Sequence, residues 1–240
     1  IQVAKACGYE NAGTVEFLYD ADGNFFFLEM NTRLQVEHPV TEMVMGIDLV
    51  KLQIEIAEGK PLSLTREQVR PRGHAIECRI NAEDVFNYFV PSTGKIVYLN
   101  HPEGPGVRVD SGIDANSEIS RYYDPLFAKL IVWGTNRPEA IRRMERALRE
   151  FQVDGVQTTI PFCMAVLHHP EFLKGSFTTH FVDSHWEQMK TALWKTDSMM
   201  DIIGAALAYY RDASRKFQVA ARENHHQSSL SPWKLRAFPR

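Results

Sequence analysis

Cysteine is scarce: Cys7, Cys78 and Cys163 are the three in 240 residues, and no two form a CxxC pair. That excludes a disulfide framework and a cysteine-built zinc site. It fits a reducing compartment, the cytoplasm or the mitochondrial matrix. No apolar run approaches the ~20 residues that span a bilayer, so no membrane partner is expected. An excess of basic charge is also missing. Lys and Arg number 27 against 30 Asp and Glu, a net charge of -3, which argues against a nucleic-acid binder. No internal repeat is visible, which sets aside solenoids. No glycine-rich phosphate loop precedes Glu16, and no Met or capping residue precedes the amphipathic stretch IQVAKACGY that opens at Ile1. The expectation is a piece of a longer protein. What the chain does have, 44% hydrophobic and 24% charged residues, is the make-up of a globular domain rather than a disordered or coiled-coil one.

The first segment reads as a helix to about Ala6, stopped by Gly8. Two β-rich runs follow, Thr14 to Tyr19 and Phe25 to Asn31, on either side of Asp22-Gly23, a strong hairpin signal. The stretch TRLQVEHPVTE is polar and reads as irregular, with Pro39 limiting helix before it. A helix is predicted from an Asp48 cap to Glu58, ended by Gly59 and Pro61. Residues 60–72 are mixed and Pro-bounded, a candidate domain boundary. Beyond them strands are predicted at Gly73–Asn81, Lys95–Asn100, Val107–Asp110 and Phe127–Trp133. A helix from Pro138 to Phe151 carries Ile141, Met144, Leu148 and Phe151 on one face. Further helices are predicted from near Pro161, capped by Thr158 or Thr159, to before Pro170, then over 179–190 and 198–217. The end, ENHHQSSLSPWKLRAFPR, reads as linker.

The hairpin carries the first chemistry. With Asp22-Gly23 as a two-residue loop, Glu16 lies directly across from Glu29, and Asn31 follows on the same face. Like charges directly opposite destabilise a sheet unless something lies between them. Two carboxylates and an amide oxygen are hard ligands suited to Mg²⁺ or Mn²⁺, and Mg²⁺ so held completes its shell with water and nucleotide phosphates. The same pattern also fits two solvated glutamates on an open sheet face, since a one-residue slip separates them.

Asn31, Arg33, Gln35 and Glu37 then recur at spacing two, and an extended backbone would project all four to one side. A guanidinium fork and an amide suit an anion such as bicarbonate, and Glu37 is placed to act as a general base. In HAIECRIN, Glu77, Arg79 and Asn81 share one strand face and Ile76, Cys78 and Ile80 the other. By spacing alone this is an ordinary half-buried strand with its polar face in water.

The segment FLEMNTRLQVEHPVTE, residues 27–42, resembles the second ATP-grasp signature of biotin carboxylases. GYENAGTVEFLYD before it is similar to that family too, as are GHAIECRINAED, FVPSTGKI, GPGVRVDSG and YYDPLFAKLIVWG after it. The resemblance covers about residues 1–190. FLEMN by itself would also fit carbamoyl-phosphate synthases. RLQVEHPVTE and ECRINAED point to biotin-dependent carboxylases.

The resemblance implies an α+β fold. Residues 1–72 would be the C-terminal part of an ATP-grasp domain, 73–190 the mainly antiparallel biotin carboxylase C-terminal domain, and 191–240 a helical extension and linker. It implies ATP- and bicarbonate-dependent carboxylation of biotin at N1′. By matching positions, Glu16 and Glu29 contact ATP, and with Asn31 they hold the metal. Arg33, Gln35 and the backbone of Val36 form the bicarbonate pocket, Glu37 is the base, and Arg79 stabilises the biotin enolate. Arg33 is counted with the catalytic residues as well. Arg108 corresponds to a position near the family's homodimer interface, although a strand-edge Arg reads the same way. The implied partners are a biotin carboxyl carrier, carboxyltransferase subunits and a second copy of the chain.

The family's glycine-rich lid and phosphate-gripping lysines are missing from this chain. By itself it is expected to bind ATP weakly and not to turn over. An AMKM-like carrier motif is missing as well. His168-His169 and His225-His226 lack carboxylates or cysteines at ligand spacing, and Met199-Met200 and Tyr209-Tyr210 fit core or interface. The stretch 198–217 with SPWKL resembles the region that follows the biotin carboxylase part in acyl-CoA carboxylase α chains. Two rival readings are another ATP-grasp ligase and a non-catalytic assembly protein that keeps the fold.

Overall fold

Local turn and cap chemistry accounts for most of the elements in the computed structural model, which describes residues 1–65, 67–193, 202–204 and 206–211. Helix α1 (Gln2–Ala6) precedes a hairpin of β1 (Thr14–Tyr19) and β2 (Phe25–Asn31), in which Glu16 pairs with Glu29 as expected. The route to that register differs from the expected one. The loop holds three residues, closed by Asp20 N donating to Asn24 O at 3.0 Å, with Gly23 at φ 86. The Asp20 carboxylate accepts from the Asp22 and Asn24 amides, both at 2.9 Å. The longer loop moves the pairing by one residue near the turn, so that Phe17 faces Phe27. A bulge between Glu16 and Phe17 moves it back.

The stretch read as irregular after β2 contains a helix, α2 (His38–Met45). Pro39 sits in its first turn, where a missing N–H costs nothing, so here it starts a helix rather than limiting one. Gly46 ends α2 at φ 68. Helix α3 (Leu49–Ala57) is capped by Asp48, whose carboxylate accepts from Lys51 N at 2.8 Å. The buried Glu42 carboxylate accepts from Leu49 N at 2.7 Å and so fixes the α2–α3 corner.

The remaining strands are β3 (His74–Asn81), β4 (Glu83–Asp84), β5 (Val90–Pro91), β6 (Gly94–Lys95), β7 (Tyr98–Asn100), β8 (Val107–Ser111), β9 (Glu118–Ile119), β10 (Leu126–Gly134) and β11 (Gln152–Asp154). Three of them form an antiparallel sheet in the order β3-β10-β8, and β4-β5, β6-β9 and β7-β11 pair as short ladders. The run expected as one strand at Lys95–Asn100 is two, because the chain changes partner. Ile96 N bonds Ser117 O, and Val97 N bonds Asp154 O.

Helix α4 (Arg137–Glu150) is capped by Asn136 and covers one face of the three-stranded sheet. There Cys78, Ile80, Leu130 and Val132 pack with Ala140, Met144, Ala147 and Leu148 into the core. Helix α5 (Ile160–His168) starts where expected, but Thr159 does not cap it. Its hydroxyl donates to Arg79 O at 2.9 Å and accepts from Asn81 N at 3.0 Å. A short helix, α6 (Pro170–Lys174), follows, capped by His169, while His168 lies 3.2 Å from Glu145.

The chain divides into two compact units, Ile1–His180 and Phe181–Arg240. In the second, residues 181–193 are helical, with Phe181, Trp186 and Met189 buried, and 202–204 and 206–211 are helical too. The rest of the helix expected over 198–217, together with Met199-Met200, His225-His226 and SPWKL, lies outside the described residues. Among the described residues no helix is long and apolar enough to cross a membrane.

Candidate active site

The predicted functional residues meet where the end of the hairpin, the loop after it and the second face of the β3-β10-β8 sheet converge. On the hairpin, Asn31 Nδ2 donates to Glu16 Oε1 at 2.7 Å and to Glu29 Oε1 at 3.1 Å. The amide nitrogen thus stands between two carboxylates that would otherwise repel. Gln35 Nε2 adds a third bond to Glu16 Oε1 at 3.2 Å. Turned over, the Asn31 amide presents its oxygen beside the two carboxylates. That set of hard oxygens fits a divalent cation that keeps open positions for water or phosphate. Counting only His, Cys, Asp and Glu, the described residues form no cluster of three. An amide must complete this set.

The loop does not run extended, so Asn31, Arg33, Gln35 and Glu37 do not line up as expected. It bends at residues 32–33 and turns at 36–37. Gln35 folds back to the hairpin. Arg33 Nη1 donates to Leu34 O at 3.0 Å and to Gln35 Oε1 at 3.4 Å. Glu37 faces the other way and accepts from Arg79 Nη2 at 2.8 Å. Between them lies a cleft of about 510 Å³ lined by Arg33, Gln35, Glu37, His38 and the Asn11–Thr14 turn. Both side chains of the Glu37–Arg79 pair are about half exposed, at 53% and 50%. Such a pair is worth only ~0–1 kcal/mol and opens cheaply.

The polar face of β3 is only partly left to water, where spacing alone had implied this for all of it: Arg79 is half exposed, but the Glu77 oxygens are shut off. Helix α2 lies against β3 and β10 on that side. The register puts Arg79, Lys129 and Asp110 in one row across the sheet, and Glu77, Ile131 and Arg108 in the next. Arg108 donates to Glu42 at 2.7 Å and to Asp110 at 2.7 and 3.0 Å. Its guanidinium is committed inside the unit, and the two carboxylates raise its pKa further. Burial pushes the Asp110 carboxyl up, but Arg108 and Lys129 together overcome this and hold it below the ordinary carboxylate range.

Lys129 is the functional candidate that sequence reasoning missed. Its ammonium, with 15% of the side chain exposed, donates to Val36 O at 3.0 Å and lies 3.5 Å from Asp110. It therefore fixes the peptide that joins Val36 to Glu37. The available signal was a lysine at the centre of the apolar run LFAKLIVWG, where an inward-facing ammonium must find a partner.

Known proteins share the sequence and fold of much of this chain. The Biotin carboxylase C-terminal domain model matches residues 77–184, and the Carbamoyl-phosphate synthase L chain, ATP binding domain model matches residues 1–65. The biotin carboxylase of a Nostoc species is 54% identical over 76% of this chain and 41% of its own length. The chain belongs to the biotin carboxylase family. The propionyl-CoA carboxylase alpha chain of Ruegeria pomeroyi is 42% identical over 95% of this chain and 37% of its own length. A solved biotin carboxylase domain dimer of 2-oxoglutarate carboxylase from Hydrogenobacter thermophilus superposes with a TM-score of 0.76 at 47% identity. It covers 78% of this chain and 42% of that one, and it holds MgADP, ADP and bicarbonate. This chain thus spans about two fifths of the length of these relatives. The α+β fold expected from its motifs is that of the family's ATP-grasp and C-terminal domains.

Proposed function

We propose that this chain supplies the bicarbonate site, the base and the metal ligands of a biotin carboxylase working within an acyl-CoA or related carboxylase. The observation that carries the reading is the Glu37–Arg79 ion pair, joined through the Gln35 loop to the Glu16–Glu29–Asn31 cluster. In this reading residues 1–72 close an ATP-grasp domain, 73–190 form the C-terminal domain and 191–240 extend it. Arg33, Gln35 and the Val36 backbone hold bicarbonate in the cleft. Glu37 takes its proton as a bicarbonate oxygen attacks the γ-phosphorus of ATP and ADP departs. The resulting carboxyphosphate breaks into CO₂ and phosphate. Phosphate removes the N1′ proton of biotin, Arg79 stabilises the enolate oxygen, and N1′ attacks CO₂. Glu16, Glu29 and Asn31 are the residues that would hold Mg²⁺ or Mn²⁺, which when bound offsets phosphate charge.

The partners are a biotin carboxyl carrier, carboxyltransferase subunits and a second copy of the chain through its C-terminal domain. The setting is the cytoplasm or mitochondrial matrix. Glu37→Gln in the complete enzyme is expected to lower biotin-dependent ADP release by ~100-fold or more, the usual worth of a general base. Full activity in that variant would remove Glu37 from its role. If instead a carbamoyl-phosphate type of ligation is the true activity, ATP consumption will follow an amine substrate and ignore biotin. This chain by itself, given ATP, Mg²⁺, bicarbonate and free biotin, is expected to release no ADP above background. Robust biotin-dependent release would show that its residues suffice for turnover.

A further inference from the structure

Glu77 is a carboxylate on the covered sheet face that nothing so far explains, and the nearby Asn81 Oδ1 also lacks a partner. Both its carboxylate oxygens are shut off from solvent, and neither accepts a hydrogen bond. A buried carboxylate without a partner is costly and calls for a reason. The charged groups facing it are Arg79 on its own strand, Lys129 on β10, Asp110 on β8 and Glu37 at the start of α2. Beside it, Ile131 is fully buried and keeps water out.

The cations on this face are unequally committed. Lys129 is spent on Val36 O and Asp110, and Arg108 on Glu42 and Asp110. Arg79 has one partner among the described residues, Glu37, and that pair is half exposed. Residues two apart on a strand stand ~7 Å apart on the same face, within the swing of an arginine side chain.

We propose that Glu77 is a positioning residue, the second seat of the Arg79 guanidinium, which moves there when Glu37 gives it up. This rests on the proposed roles of Glu37 and Arg79. A base that accepts a proton loses its charge and with it most of its hold on Arg79. Arg79 then needs another carboxylate, or it drifts into solvent away from the enolate it must stabilise. Glu77 offers that carboxylate on the same strand face.

Two experiments test this. The first is the crystal structure of this chain with Glu37→Ala, which needs no catalysis. An Arg79 nitrogen within hydrogen-bond distance of a Glu77 oxygen supports the proposal. Arg79 in solvent, with Glu77 still unpartnered, overturns it. The second is Glu77→Gln in the complete enzyme. The expectation is a ~10-fold fall in kcat with KM for ATP and bicarbonate unchanged, since Glu77 touches neither substrate. An unchanged kcat, or a fall in kcat matched by a rise in KM, overturns it. Failure of the underlying functional reading shows separately, as biotin carboxylation that survives Glu37→Gln or Arg79→Ala.

Discussion

At the scale of single residues, the site is a set of charges whose surroundings differ more than their identities do. Glu37 and Glu77 both lie near Arg79, yet one is half in water and the other is sealed. Burial pushes the Glu77 carboxyl up from 4.5 to about 7, against the pull of Lys129 and Arg79. Below 4.5 both the folded and the unfolded chain keep the proton, and Glu77 costs nothing as a charge. Between 4.5 and 7 the unfolded chain has released the proton and the folded chain has not, so stability falls as pH rises. Above 7 the loss is complete. Glu77→Gln lacks this titration. Its stability relative to the parent is therefore expected to improve by on the order of 2 kcal/mol between about pH 5 and about pH 8, in urea melts of this chain. A difference that stays flat across that range would show that Glu77 is solvated. That Glu77 and Arg79 share one strand face was legible from period two alone. Its burial was not, because nothing in HAIECRIN says what packs on that face.

At the scale of elements, the Asp48 cap acted as local chemistry predicts, while the hairpin loop came out one residue longer and other differences arose where one element met another. Thr159 illustrates this. A threonine ahead of Ile160-Pro161 reads as a helix cap, but the hydroxyl instead stitches α5 to β3 on either side of Ile80. Thr159→Val keeps the shape and orphans the Arg79 carbonyl and the Asn81 amide. It is expected to cost about 2 kcal/mol in thermal unfolding, whereas Thr159→Ser keeps both bonds and costs under about 1 kcal/mol. Equal losses in the two variants would show that the methyl group matters and the hydroxyl does not. The hairpin makes the complementary point. Glu16 does face Glu29, but only because a longer loop and a bulge cancel, and no turn rule foresees a bulge. Helix α2 is not evident from the sequence because Pro39 reads as a barrier, although at the first turn of a helix it is an ordinary starting residue.

At the scale of the whole molecule, the covered polar face contrasts with an uncovered apolar one. Phe17, Tyr19, Phe25 and Phe27 lie on one side of the β1–β2 ladder, Leu18 and Phe26 on the other, and all six are exposed. Phe17 stacks edge-on with Phe25 and Phe27 at centroid distances of 5.4 and 6.2 Å, which hides little of this surface. A two-stranded ladder apolar on both sides is an aggregation liability. This chain in isolation is expected to self-associate as its concentration rises, in sedimentation velocity runs. Leu18→Lys with Phe26→Glu, opposite charges on directly paired positions, should shift it towards monomer without changing the β3-β10-β8 core. A chain that is monomeric at all concentrations would show these rings to be covered by the chain itself.

The amino-acid sequence by itself determined the order of most of the longer elements, the hairpin that opposes two glutamates, and the apolar stripe of α4. It also carried the motif order that marks a biotin carboxylase. These are local properties, set by backbone sterics, by side-chain period and by residues adjacent in the chain. Only the tertiary structure decided that Glu37 pairs with Arg79, that Lys129 reaches across to the Val36 carbonyl, and that α2 packs on the polar face of β3, where the Glu77 oxygens are closed off. Those contacts join residues 42 and 93 positions apart. At such separations the partner of a charge is chosen by how whole elements dock and how much water they exclude. No spacing within one strand or loop records that.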